Sequence, residues 1–339
     1  MPSKPRSNRV AKTPPPMTRP YSKPAARAAA GFVCALGMWT VVPPCVAANL
    51  AYVTNQGGQT VSVVDLETLT VTATIPVPGK PAGISVSPVR PEFYATAPDA
   101  HDIAVIDQAS NTVVRRIQTG GGPVGIAAHP ISGLIYVADW YTHQIAVADP
   151  QTGAVLSRID VGQSPSGVAI TPDGATILTA DRDSDAVSLI DAATNTRLAS
   201  IKVGARPFGI TLDAQGTRAF TANVGSDDVS VIDLKTRSVI ATVPVGRRPY
   251  AVAVTSDQAF VTDQYGGTVT VFDLATMKPV KTIEACDHPE GINYDAGRNA
   301  VYVACWFDNT LIRIDTTSLT VTGSVRVGDG PRAFGNFLR

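Results

Sequence analysis

The sequence predicts an all-β chain folded as a seven-bladed β-propeller, with four antiparallel strands per blade and the N- and C-terminal segments sharing the closing blade. Three observations carry this prediction. An Asp closes a short apolar run at Asp65, Asp107, Asp149, Asp191, Asp233, Asp273 and Asp315, in steps of 42, 42, 42, 42, 40 and 42 residues. A Pro keeps the same period at Pro81, Pro123, Pro165, Pro207, Pro249, Pro289 and Pro331. Each interval holds four runs rich in β-branched and aromatic residues, separated by Gly, Pro, Asp and Asn, which is the pattern of propeller blades.

Residues 1–48 are of a different kind. They carry seven Lys or Arg and no Asp or Glu, then an apolar stretch from Ala28 to Val42 and the small residues Val46, Ala47 and Ala48. This is the layout of a signal peptide cleaved near Ala48, with Met17 as an alternative start. Pro43 and Pro44 end the stretch before it comfortably spans a bilayer. The expected product, residues 49–339, is one periplasmic or secreted domain with no membrane span. The full chain has 28 basic and 28 acidic residues, so loss of the seven basic residues leaves a charge of about −7. An acidic domain has no general electrostatic attraction for nucleic acid, and none is expected as a partner.

Within one unit, Ala219 to Ala222 is a short apolar strand and Asn223 to Asp228 a polar loop. Val229 to Asp233 alternates as a strand, Leu234-Lys235-Thr236 makes a tight turn, and Ser238 to Val245 alternates again. Gly246 to Pro249 forms a corner, after which Tyr250 to Val254 runs apolar. A small residue follows each corner by two positions (Gly83, Gly125, Gly167, Gly209, Gly291), suiting a crowded inner strand. The chain enters at Ala51 with no inner strand before it and ends on Arg332 to Leu338 with no unit after it. The last segment is therefore expected to complete the first blade.

Outside the leader the cysteines reduce to Cys286 and Cys305. Cys286 takes the place of the corner Gly246 of the preceding unit, and Cys305 the place of Asn223. One precedes an inner strand and the other ends its antiparallel neighbour, so a disulfide is expected. A metal site of Cys286, His288 and Cys305 is the alternative.

The runs Tyr52-Val53-Thr54-Asn55, Val61-Ser62-Val63-Val64-Asp65 and Thr74-Ile75-Pro76-Val77 resemble the YVTN-type β-propeller repeat, and the resemblance extends over residues 50–339. Proteins of this kind include exported binding and surface-layer proteins. Similar propellers serve as lactonases, lyases and subunits of quinoprotein amine dehydrogenases. The chain has no C-x-x-C-H run for covalent c-type haem, and no cofactor or metal is expected.

Blade loops and corners open on one face, and the residues that differ between units gather there. The corner residues Arg206, Phe208, Arg248, Tyr250, His288, Glu290 and Arg332, with loop residues Trp140, Tyr141 and Trp306, are the candidate ligand-binding set. Arg interleaved with aromatics suits a small anion, a planar ligand or a protein partner. The leading expectation is a monomeric, non-enzymatic binding protein. A lactonase- or lyase-like enzyme, with His288 and Glu290 as acid and base, is the alternative, and a non-catalytic subunit of a periplasmic redox complex the third reading. Gly120 to Gly125 matches G-x-G-x-x-G only as the repeat's own corner. Asp181 to Asp185 lacks the later residues of a calcium loop. His101 and His143, 42 residues apart, are expected to be solvated loop residues.

Overall fold

Strands short enough to be half-buried cannot stand as isolated four-stranded sheets; they must stack on like neighbours. A computed structural model describes residues 49–339, and the expected leader with Met17 lies outside the described residues. In blade 5 the inner strand Pro207–Leu212 pairs with Arg218–Asn223, which pairs with Asp228–Asp233, which pairs with Ser238–Pro244, all antiparallel. The same order recurs from blade 2, beginning at Gly83–Val86, to blade 7, ending at Thr320–Arg326. No helix among the described residues is long and apolar enough to cross a membrane.

Both sequence markers have a structural cause. Each marker Asp ends the third strand and folds its carboxylate back onto the turn; in Asp233, Oδ1 accepts from the Thr236 N–H at 2.7 Å and the Thr236 hydroxyl at 2.9 Å. Each marker Pro opens an inner strand. The residue before it is left-handed at six of the seven corners, at Lys80, Ser164, Arg206, Arg248 and His288 with φ between 51° and 56° and at Gly330 with φ 62°. This sparsely populated conformation reverses the chain from outer to inner strand.

The cores lie between blades. Tyr52 of the first blade stacks on Phe93 of the second with ring centres 4.0 Å apart, and both are fully buried. Burial of each such ring is worth about 1.5–3 kcal/mol.

The ring closes as its ends predict. First-blade strands Leu50–Asn55, Thr60–Asp65 and Thr70–Pro76 form only three rungs. The C-terminal segment supplies the missing inner edge: Tyr52 N–H donates to Phe337 O at 2.9 Å and Arg332 N–H to Thr54 O at 2.8 Å. The same segment, through Phe334–Asn336, runs parallel to Gly83–Val86 of blade 2. It also receives the Gly291 N–H of blade 7 on Arg332 O at 3.0 Å.

Candidate functional site

Loops after each second strand and corners before each inner strand meet on one face. The first loop residue donates its N–H to the corner carbonyl, as in Trp140 to Gly122, Gln264 to Arg248 and Trp306 to His288, each at 3.0 Å. Two rings of side chains follow from this geometry. An upper ring consists of the first loop residue of each blade: Gln56, Pro98, Trp140, Arg182, Val224, Gln264 and Trp306. A lower ring consists of the residue after each corner Pro: Ala82, Val124, Ser166, Phe208, Tyr250, Glu290 and Arg332.

The two rings enclose a cavity of about 380 Å³ lined by six of the upper residues and by Ala82, Val124, Phe208, Tyr250 and Arg332 of the lower, with Gly122 and Tyr141. Its floor is aromatic. Phe208 lies 4.7 Å from Tyr250 and 4.9 Å from Phe334, centre to centre. Phe334 also lines a larger cavity of about 920 Å³ that opens along the far ends of the inner strands. The three rings thus separate the mouth from the rest of the channel.

The electrostatics of the mouth centre on Glu290 and Arg332. Glu290 is 1% exposed; its Oε1 accepts from Gln264 Nε2 at 2.6 Å and its Oε2 lies 3.2 Å from Arg332 Nε. That last approach is an ion pair out of line for a hydrogen bond. Burial pushes the Glu290 carboxyl above its usual range, and Arg332 and Gln264 oppose that shift. The guanidinium of Arg332 is held between the rings of Trp306, at 4.8 Å, and Tyr250, at 5.9 Å. Tyr250 is pushed well above the ordinary phenol range by burial, with the neighbouring Glu290 carboxyl adding to the shift and Arg332 opposing it. Arg182 covers Trp140 at 5.4 Å and pairs with Asp183 at 2.6 Å. Two arginines and no carboxylate face the cavity.

Of the residues singled out in the sequence, Trp140, Tyr141, Phe208, Tyr250 and Arg332 line this cavity; Glu290 lies buried behind Arg332 and Trp306 stacks above it. Arg206, Arg248 and His288 do not line it. Their left-handed backbone turns them to the rim, where Arg206 and Arg248 are exposed. Arg248 covers Tyr265 at 4.8 Å, while His288 lies between Tyr265 and Phe307 and its Nδ1 is 2.7 Å from Asp287. The four residues Arg206, Arg248, His288 and Glu290 therefore do not converge on one pocket. Sequence reasoning missed Arg182 and Gln264, although both stand one or more whole periods from Trp140 and Trp306.

His101 and His143 are exposed loop residues, as expected, and each also bonds to its neighbouring corner. His101 Nδ1 meets Gly121 O, and His143 Nδ1 accepts the Ser164 N–H at 3.0 Å. Asp185 and Asp227 do the same for Arg206 and Arg248, at 2.8 and 2.7 Å, so this position fastens the corner in these blades. No group of three or more His, Cys, Asp or Glu among the described residues is placed to hold a metal. Cys286 and Cys305 form a disulfide, S–S 2.08 Å and Cα–Cα 5.9 Å.

A repeating blade closed by its own C-terminal segment defines a β-propeller. The model of the YNCE-like beta-propeller family matches residues 47–133 and 132–299, and the chain belongs to that family. No curated protein matches it significantly. Among solved structures it is similar to hydrazine synthase of Kuenenia stuttgartiensis, with TM-score 0.68 and 20% identity over 75% of this chain and 88% of that one. A functionally unknown protein from Desulfotomaculum acetoxidans gives TM-score 0.73 at 16% identity over 85% of this chain and all (100%) of the other. Dihydro-heme d1 dehydrogenase NirN, in complex with DHE, gives 0.62 at 15% identity over 87% and 77%. At these identities the likeness is one of fold.

Proposed function

We propose that this chain is an exported, monomeric, non-enzymatic binding propeller that holds a small anionic ligand at the channel mouth. The observation that carries the reading is the cavity of about 380 Å³ faced by Arg182 and Arg332 with no carboxylate on its wall. Its size is at the lower end of ligand sites, which run to roughly 300–1,000 Å³. Export is supported by the leader and by the disulfide, which suits an oxidising compartment. The YVTN-like strand ends support a place among exported, surface-layer-type propellers. A lactonase- or lyase-like activity draws less support, because His288 and Glu290 open on different surroundings.

Native mass spectrometry of the protein from its host's exported fraction tests this. A retained small anion, lost in an Arg332→Gln/Glu290→Gln variant, is the expected result; a bare chain with no affinity for anions would overturn it. A second reading, a non-catalytic subunit of a redox complex, is favoured by the likeness to hydrazine synthase and to NirN. Co-purification with a cofactor-bearing protein, with the mouth empty, would select it.

A further inference from the structure

We infer that the mouth selects a planar arene carboxylate, its ring held against Trp140 and Phe208 and its carboxylate on the free edge of the Arg332 guanidinium. This deepens the proposed function and rests on it. Arg332 is prepared for such a ligand in three ways. Its Nε side is occupied by Glu290 at 3.2 Å, which fixes the direction of the fork. Its plane is clamped between Trp306 and Tyr250. Its guanidinium makes no hydrogen bond to protein among the described residues, and the side chain, 24% exposed, lines the cavity. A pre-oriented fork with its outer N–H groups unclaimed matches the two oxygens of a carboxylate.

The surroundings choose the rest of the ligand. Tyr250, 5% exposed, belongs to the same wall, with its hydroxyl beside the Glu290 carboxyl. Arg182 is engaged by Asp183, so the outer N–H groups of Arg332 are the charged donors left to a ligand, and they suit a single carboxylate. Trp140, Tyr141, Phe208 and Tyr250, with Pro98, Val124 and Val224, present π faces and apolar edges. A hydrated inorganic oxyanion would lose water against such a wall without enough donors in return. A flat ring gains offset or edge-on contacts with the aromatics.

The test titrates the purified protein with benzoate, indole-3-carboxylate, cyclohexanecarboxylate, benzamide and inorganic phosphate, read by tryptophan fluorescence and ligand-observed NMR. The two arene carboxylates are expected to saturate, with cyclohexanecarboxylate and benzamide about tenfold weaker or more. Phosphate is expected not to displace benzoate. The Arg332→Gln/Glu290→Gln variant, which leaves no buried charge unpaired, should bind benzoate no better than benzamide. Should it not fold, Trp140→Leu serves instead and should erase the preference for benzoate over cyclohexanecarboxylate. Arg206→Gln on the rim should change nothing. Equal binding of the saturated acid, or displacement by phosphate, overturns the arene inference while a retained anion in native spectra still upholds the wider reading. Absence of binding by every anion overturns both.

Discussion

In blade 6 the corner before the inner strand is held by hydrogen bonds to a buried carboxylate, and in blade 7 the same corner is held by a covalent bond. Asp263 ends the second strand of blade 6, fully buried. Its Oδ1 accepts the Gly246 N–H at 2.9 Å, and its Oδ2 accepts the hydroxyls of Thr268 and Thr270 at 2.8 and 2.7 Å. The fit requires glycine at the corner, since a Cβ on Gly246 would stand 2.4 Å from Asp263 Cγ. Gly162 against Asp181, Gly204 against Asn223 and Gly328 against Asn55 repeat the arrangement. Blade 7 replaces the glycine–Asx pair with Cys286–Cys305. One backbone geometry thus accepts either a polar latch, which responds to pH, or a covalent one, which responds to reductant. The covalent version stands beside the seam where the ring closes.

The seam itself should give the largest effect. Removing residues 332–339 strips blade 1 of its inner edge and takes out Phe334 and Phe337, both buried. Loss of two such rings costs more than about 5 kcal/mol. The truncated chain is expected to lose its cooperative melting transition, and a Tm equal to wild type would show that the seam is not what closes the ring. Next is Cys286→Ser/Cys305→Ser. A bridge over a separation of 19 residues contributes about 3 kcal/mol by chain entropy. Urea unfolding should show the variant unaffected by reductant and wild type in reductant falling to the variant's midpoint. If reductant lowers both equally, the bridge is not the source.

The polar latch makes a third, smaller prediction with a definite sign. Burial pushes Asp263 up to about 6, against the pull of Thr270, Thr268 and the Gly246 amide, and Asp181 is pushed up to about 6 by the same cause. A folded carboxyl titrating above its unfolded value of 3.8 is a cost once ionised. That cost is present above about pH 6 and disappears as the pH falls towards 3.8. Asp263→Asn, the residue type found at Asn55 and Asn223, should therefore stabilise the protein by about 1–2 kcal/mol at pH 7.5 and be neutral near pH 4. Thermal melts across that range decide it; a constant difference would mean that the side chain acts through shape alone. No such dependence is expected from blade 7.

These latches explain what could be read in the sequence. The turn Asp and the corner Pro are periodic because each does one local job in every blade, and local jobs leave fixed residue types at fixed spacing. The disulfide was legible for the same reason, as two simultaneous departures from the period at one blade end. The mouth was legible only in part. Arg206 and Phe208 flank the same Pro, yet the left-handed φ of 55° at Arg206 sends it to the rim while Phe208 enters the cavity. Composition holds no record of that reversal. Arg182 and Gln264 could have been found by extending the period of the two tryptophans. The pairing of Glu290 behind Arg332 could not, because it depends on how two neighbouring inner strands lean together.

The turn at the opposite edge is built alike in blades 6 and 7, and so provides the control with the smallest effect. Asp273 Oδ1 accepts from the Thr276 N–H and hydroxyl, both at 2.7 Å; Asp315 Oδ1 accepts the Ser318 N–H at 2.7 Å. These hydrogen bonds hold both carboxyls below their usual range, led by the Thr276 hydroxyl in one and the Ser318 amide in the other. A depressed folded value contributes stability that is present above the unfolded value of 3.8 and is lost as the pH falls through the folded one. Asp273→Ala and Asp315→Ala should lower the melting temperature slightly and equally at pH 6, and the loss should vanish at strongly acidic pH. Reductant should leave the difference between each variant and wild type unchanged in blade 6. If it enlarges that difference only for Asp315→Ala, the covalent corner and the far turn of blade 7 are coupled along the blade. Equal, reductant-independent losses would confine the contrast between the two blades to the corner itself.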